Sequence, residues 1–159
     1  MKWIVGMVVV LLLAFVMPAS AEIAAWGLGG PAASEVLAAR LGYVRDNIEV
    51  GGTAYWYEKP EAPPQVYGCY GIYHFPDLID VNTPIGLDFL PERLNASAYI
   101  GTQITIGDDE HRGFVGLVAG TVIQKVIVIE GQWNSFSDSI EDAFGPDEMR
   151  VMVGMRWQF

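Results

Sequence analysis

The stretch LAARLGYVRDNIEVGGTAYWY, residues 37–57, reads as two strands and the turn between them. Leu37 to Arg45 and Ile48 to Tyr57 flank Asp46-Asn47, residue types that tolerate the left-handed backbone of a two-residue turn. Closing the turn there pairs Arg45 with Ile48, Val44 with Glu49, Tyr43 with Val50 and Leu41 with Gly52. One face then carries Leu37, Ala39, Leu41, Tyr43, Ile48, Val50, Ala54 and Trp56. The other carries Arg40, Glu49, Thr53, Tyr55 and Tyr57. Both strands sort under one register, and a slip of one residue would turn every side chain to the wrong face.

The same period of two recurs along the chain. Ala98, Ile100, Thr102, Ile104 and Ile106 alternate with Tyr99, Gln103 and Thr105 over residues 96–106. Gly113 to Ile123 and Lys125 to Phe136 form a further pair turning near Gln124, in which Ile127, Ile129 and Trp133 oppose Glu130, Gln132 and Asn134. Val66 to Phe75 has the composition of a strand, but its aromatics fall on both parities and leave its facing open. Glu148 to Phe159 is the last strand. Glu22 to Leu28, turning through Gly29-Gly30-Pro31, supplies an eighth, consistent with the even strand numbers of single-chain barrels. Glu58 to Gln65, with Pro60, Pro63 and Pro64, is a loop, because proline cannot donate to a central ladder. Residues 76–94 fit least. They are too long and too apolar for a turn (Ile85, Leu87, Phe89, Leu90, Leu94), and residues 88–94 read as one helical turn. This segment is expected to fold under the barrel mouth rather than extend a strand or dock a partner.

Composition narrows the setting. Lys2 is followed by an apolar run from Ile4 to Met17 and by Ala19-Ser20-Ala21, the pattern of a secretory signal cleaved before Glu22. The run is shorter than the roughly 20 residues that span a bilayer as a helix. Residues 1–21 are thus expected to be a signal peptide and 22–159 one domain. Without Lys2 there remain eight basic residues against nineteen acidic ones, a net charge of −11. That sign argues against a nucleic-acid partner, which needs a Lys/Arg footprint. The single Cys69 excludes an internal disulfide and has no basic neighbour in sequence to activate it. If the domain lies in a membrane it must cross as a closed barrel, because open sheet edges are not tolerated in lipid.

The last strand carries the most specific pattern. Met149, Val151, Val153, Met155, Trp157 and Phe159 alternate with Arg150, Met152, Gly154, Arg156 and Gln158, and the sequence stops on an aromatic. Such an ending resembles the C-terminal signal by which outer-membrane barrels are recognised, here carried by Met155, Trp157 and Phe159. The domain as a whole resembles the small eight-stranded barrels of the OmpA/OmpX type. The resemblance implies an all-β, antiparallel, up-and-down transmembrane barrel in a bacterial outer membrane. Its implied partners are outer-membrane lipid, lipopolysaccharide and the barrel-assembly machinery. A soluble periplasmic β-sandwich is the competing architecture, since a one-sided apolar face fits a protein core as well as lipid.

The inward face would carry Arg40, Glu49, Tyr55, Tyr57, Gln103, Glu130, Arg150 and Arg156. An eight-stranded barrel is just wide enough for its side chains to fill, and enclosed charges need partners. A salt-bridged plug is therefore expected, with Glu130 and Arg156 on neighbouring strands as one pair. Tyr43, Trp56, Trp133 and Trp157 read as interfacial anchors. A structural or surface-exposed barrel without catalysis, cofactor or metal is the first functional expectation. A narrow small-solute channel and a lipid-modifying hydrolase are the alternatives. For the hydrolase, His74 and His111 are the available bases and Ser135, Ser137 and Ser139 the nearby hydroxyls, but no His-x-Ser motif joins them. Two acidic clusters, Asp108-Asp109-Glu110 and Asp138, Glu141, Asp142, Asp147, Glu148, could hold divalent cations but match no ligand-loop spacing and read as solvated loops.

Overall fold

The computed structural model describes residues 22–30, 36–57, 63–76, 78–82, 93–107, 113–136 and 148–159. They form nine strands: β1 (Glu22–Gly29), β2 (Val36–Arg45), β3 (Ile48–Tyr57), β4 (Val66–His74), β5 (Ile79–Asn82), β6 (Arg93–Gly107), β7 (Phe114–Ile123), β8 (Ile127–Phe136) and β9 (Glu148–Gln158). Eight of them close on themselves. Each pairs antiparallel with its neighbour, β4 pairs with β6, and β1 pairs with β9 to complete the ring. Reciprocal bonds between Ile23 and Phe159, at 3.0 and 2.8 Å, finish the β1–β9 seam.

Local chemistry sets the register. The β2–β3 turn holds Asp46 at φ 55°, and the pairing runs from Arg45↔Ile48 through Val44↔Glu49 to Leu41↔Gly52, as the alternation required. The β7–β8 turn places Gln124 and Lys125 at φ 53° and 60° and closes with Val126 N–H on the Ile123 carbonyl at 3.1 Å. Two consecutive left-handed residues give a turn whose twist matches the strands it joins.

The closure has a definite stagger. Following the pairing from Ala96 through Ile123, Ile127, Met155, Gly27, Ala39, Ala54 and Tyr67 returns to β6 at Ile106, ten residues from the start. Eight strands with that shear tilt by about 40° and leave room for side chains but not for a wide channel. Facing follows the pleat. Trp26, Arg40, Glu49, Tyr55, Tyr70, Tyr99, Gln103, Glu130 and Met152 are buried inside, while Leu41, Ile104, Leu117, Val151 and Ile106 (76% exposed) stand outside. The ambiguous β4 resolves with Val66, Tyr70 and Ile72 inward and Tyr67, Cys69 and Tyr73 outward.

Residues 76–94 depart from expectation. Ile79–Asn82 pairs with Arg93–Ala96, so the flanks of this segment prolong the wall as a two-stranded extension instead of folding under the mouth. Arg93 and Leu94 are strand, not helix; residues 83–92 lie outside the described set. The cause is pairing: β6 runs 15 residues, beyond the reach of β4, and β5 supplies a partner for the excess. Asp80 and Arg93 form a charge pair across the two strands. The Gln124 side chain donates to the Arg93 carbonyl at 2.7 Å, tying the extension to the β7–β8 turn.

Two predictions follow from the seam and the extension. A Cβ at Gly154 would lie 1.9 Å from the Gly27 carbonyl oxygen and 2.8 Å from Leu28 Cα, because the β1 backbone crosses close to β9 there. Gly154→Val is expected to lower stability by about 3 kcal/mol in urea unfolding of the refolded protein, with Gly27→Ala unchanged. In the extension, hydrogen bonding to the Arg93 guanidinium holds the Asp80 carboxyl below the usual carboxylate range. Its stabilisation is present above the unfolded value of about 3.9 and is lost as pH falls through the lowered folded value. Amide protection over Ile79–Asn82 should drop there before that of β7 and β8; equal loss in all three would refute the coupling.

Candidate functional site

The alternation that lays apolar residues outside delivers charges to a narrow interior. There the pleat of β2, β3, β8 and β9 brings Arg40, Glu49, Glu130 and Arg156 into one lumen. Glu49 and Glu130 are fully buried. Each must find partners, because a lone carboxylate in such surroundings costs many kcal/mol.

Both carboxylates are saturated. Glu130 Oε2 accepts from Arg40 Nη1 at 2.6 Å and from the Tyr99 hydroxyl at 2.7 Å. Its Oε1 accepts from Arg40 Nη2 at 2.8 Å and Gln132 Nε2 at 2.7 Å. Glu49 Oε1 accepts from Trp26 Nε1 and the Tyr70 hydroxyl, both at 2.6 Å. Its Oε2 accepts from Arg156 Nη2 and His74 Nε2, both at 3.0 Å. Four donors use the roughly four lone-pair sites of a carboxylate. Neither group keeps a free lone pair with which to act as a base or hold a cation.

The two centres are linked through Trp26. Arg40 lies 5.7 Å from its ring centroid and Arg156 5.3 Å, while its indole N–H serves Glu49. Cation–π attraction of this kind strengthens where water is excluded. Tyr70 repeats the arrangement, donating to Glu49 with its ring 5.3 Å from Arg40. Toward the far end of β3 an amide layer continues the network. Gln103 Oε1 accepts from Tyr55 at 2.5 Å and from Arg40 Nη2 at 3.1 Å, and its Nε2 donates to Asn134 at 3.1 Å. Arg40 Nε, Gln132 Oε1 and Asn134 Nδ2 are buried with no hydrogen bond among the described residues. Above this layer the Tyr55 ring meets Phe114 edge-on and stacks with Tyr57, and Arg150 lies 5.3 Å from the Tyr57 ring.

The eight residues expected on the inward face, Arg40, Glu49, Tyr55, Tyr57, Gln103, Glu130, Arg150 and Arg156, all lie on the inward parity of their strands. The expected pair Glu130–Arg156 does not form. Glu130 is held by Arg40 from β2 and Arg156 by Glu49 from β3. Neighbouring strands placed Glu130 and Arg156 near in sequence logic, but the long side chains reach across the ring instead. Sequence reasoning missed Trp26, Tyr70 and His74 as donors. Trp26 shares the inward parity of Ala24 and Leu28, and an indole at such a position could have signalled a need for an acceptor. Met155, Trp157 and Phe159 all point outward, each at least 44% exposed. Ser135 and Cys69 are exposed on the outer wall. His111, Ser137, Ser139 and the acidic loop residues 108–110 and 138–147 lie outside the described residues.

Breaking one partner of a saturated pair should be costly and removing both much less so. Arg40→Ala is expected to destabilise the refolded barrel by roughly 3–5 kcal/mol, whereas Arg40→Met combined with Glu130→Leu should recover most of that loss. Urea unfolding of the four members of the cycle checks this; additive effects would show that the pair is not coupled. No family model, curated protein or solved structure matches the chain, and its chemistry is read from its own geometry.

Proposed function

We propose that the chain is an outer-membrane β-barrel of a bacterial envelope, structural and surface-exposed, with a lumen filled by its own side chains. One observation carries this reading: the polarity of the barrel is inverted. Ion pairs sit in the interior beside buried apolar residues such as Val118, Val128 and Met152, while Leu41, Ile48, Ile100, Ile104, Leu117, Ile129, Val151 and Met155 face outward from six of the eight strands. In water such a surface far exceeds the apolar patches that soluble monomers expose. In lipid it is the required surface, and the closed ring leaves no edge in the hydrocarbon.

Aromatic placement supports the same reading. Tyr43, Tyr73, Phe75, Trp157 and Phe159 gather at the end holding the two short turns; Trp56, Tyr67 and Trp133 gather at the other. From a rise of about 3.3 Å per residue and the tilt above, the two belts lie roughly 20 Å apart along the axis. That approaches the roughly 25 Å apolar band of outer-membrane barrels. The saturated carboxylates favour a plug over a channel. The engagement of His74 Nε2 by Glu49 favours a structural role for that histidine over service to a serine.

Flotation with phospholipid vesicles, followed by electrophoresis with and without boiling, tests the membrane assignment. The folded protein is expected to float with the vesicles and to migrate differently before heating. A protein left in the aqueous fraction with a single band would sink the assignment. In planar bilayers the wild type should give no steady conductance steps; large regular steps would replace the plug with a channel.

A further inference from the structure

The apolar outer wall does not end at the same level all round the turn end. At the β2–β3 turn it gives way to exposed charge, Arg45 and Asp46. Along β4 to β6 it continues. Beyond Tyr73 and Phe75 come Leu78 (69% exposed) and Ile79, and all four are exposed. Phe75 N–H bonds to the Ala98 carbonyl at 2.9 Å, and Ile79 stands opposite Ala96. Four steps on one strand thus face two on the other, and the strand bulges around Pro76, which bends it. Two extra residues preserve parity. Ile79 therefore stays on the outer face with Ala96, while Asp80 meets Arg93 on the inner one. The extension is amphipathic, and among the described residues β5 pairs only with β6, which leaves its other edge open.

We propose that the β5–β6 extension rests in the lipid interface at the turn end, with its outer face against the acyl boundary and its inner face toward water. The proposal deepens the membrane reading above and rests on it. Continuity with the wall selects lipid. Phe75 and Ile79 follow Tyr73 on one face of one strand, so whatever meets the belt meets the extension next. Height agrees. Leu94 lies four residues past Ala98 on β6, about 10 Å beyond the belt and roughly 30 Å from Ile106 at the other one. The belts alone fall short of the roughly 25 Å apolar band, and the extension adds the missing height on this side. The open edge limits the depth. Unpaired backbone groups are not tolerated in hydrocarbon, whereas headgroups and their water can satisfy the β5 edge. An amphipathic segment at that boundary sinks its apolar face by about 5–10 Å. A soluble partner would instead have to cover Leu78 and Ile79 flush against the lipid that meets Phe75.

A bimane fluorophore on single cysteines tests this in the full chain, refolded into phosphatidylcholine vesicles. The native Cys69 reports the outer wall. Ile79→Cys and Arg45→Cys, each combined with Cys69→Ser, report the extension and the β2–β3 turn. Quenching is read from phosphatidylcholine brominated on its acyl chains and from iodide present on both sides. The label at 79 is expected to lose most of its emission to brominated lipid and little to iodide, as at Cys69, with the reverse at 45. Each protein should keep the shift on boiling. Strong iodide quenching with little lipid quenching at 79 would overturn the proposal and leave the face to a soluble partner. Shielding from both quenchers would also overturn it, by giving the face to another part of the chain. If the label at Cys69 itself escapes the brominated lipid, the membrane reading fails instead.

Discussion

Eight strands closed with a stagger of ten leave a lumen in which a charge has other side chains for company and little else. That constraint orders the rest of the molecule. Glu49 and Glu130 cannot be placed inside without four donors each, and their arginine partners come from strands across the ring. Arg40 spans from β2 to β8 and Arg156 from β9 to β3. The pairs are chords across a circle, and chords resist flattening of the barrel in a way that contacts between neighbours do not. Trp26 joins the two chords by lying against both guanidinium groups while its N–H serves one carboxylate. Coupled buried networks of this kind are worth more together than as separate pairs, provided nearly every member is satisfied.

Much of this was legible from alternation alone. The β2–β3 register follows from two strands agreeing on one face, and parity alone assigns every charged lumen residue to the inside. What parity does not carry is partnership. It says that Glu130 and Arg156 point inward, but the choice between a neighbour and a residue across the ring depends on tilt, stagger and side-chain length together. Facing also failed to emerge for β4, where Tyr67, Tyr70 and Tyr73 occupy both sides. The inner tyrosine is there for its hydroxyl and the outer two for their rings, a distinction that a hydrophobicity pattern cannot draw. The β5–β6 extension was hidden for another reason. The length and apolar residues of 76–94 suggested a segment folded under the barrel mouth, whereas Ile79–Asn82 and Arg93–Ala96 continue the ladder.

The inverted polarity and the filled lumen bear on function in the same direction. Under the membrane reading proposed above, the outer wall would meet its partners in the plane around it, and both buried carboxylates are already committed to donors within the barrel. The extension differs from the wall that bears it, since its inner face is polar, with Asp80 and Arg93 paired there.

The β1–β9 seam also says something about time. Ile23 bonds to Phe159, and Glu49 must wait for Arg156, 107 positions later in the chain. No growing chain can satisfy its interior until β9 has been made, so a partly built wall holds unpaired charge. Contacts this distant in sequence close slowly. Closure therefore comes late, with Glu49 meeting Arg156 only once β9 is in place.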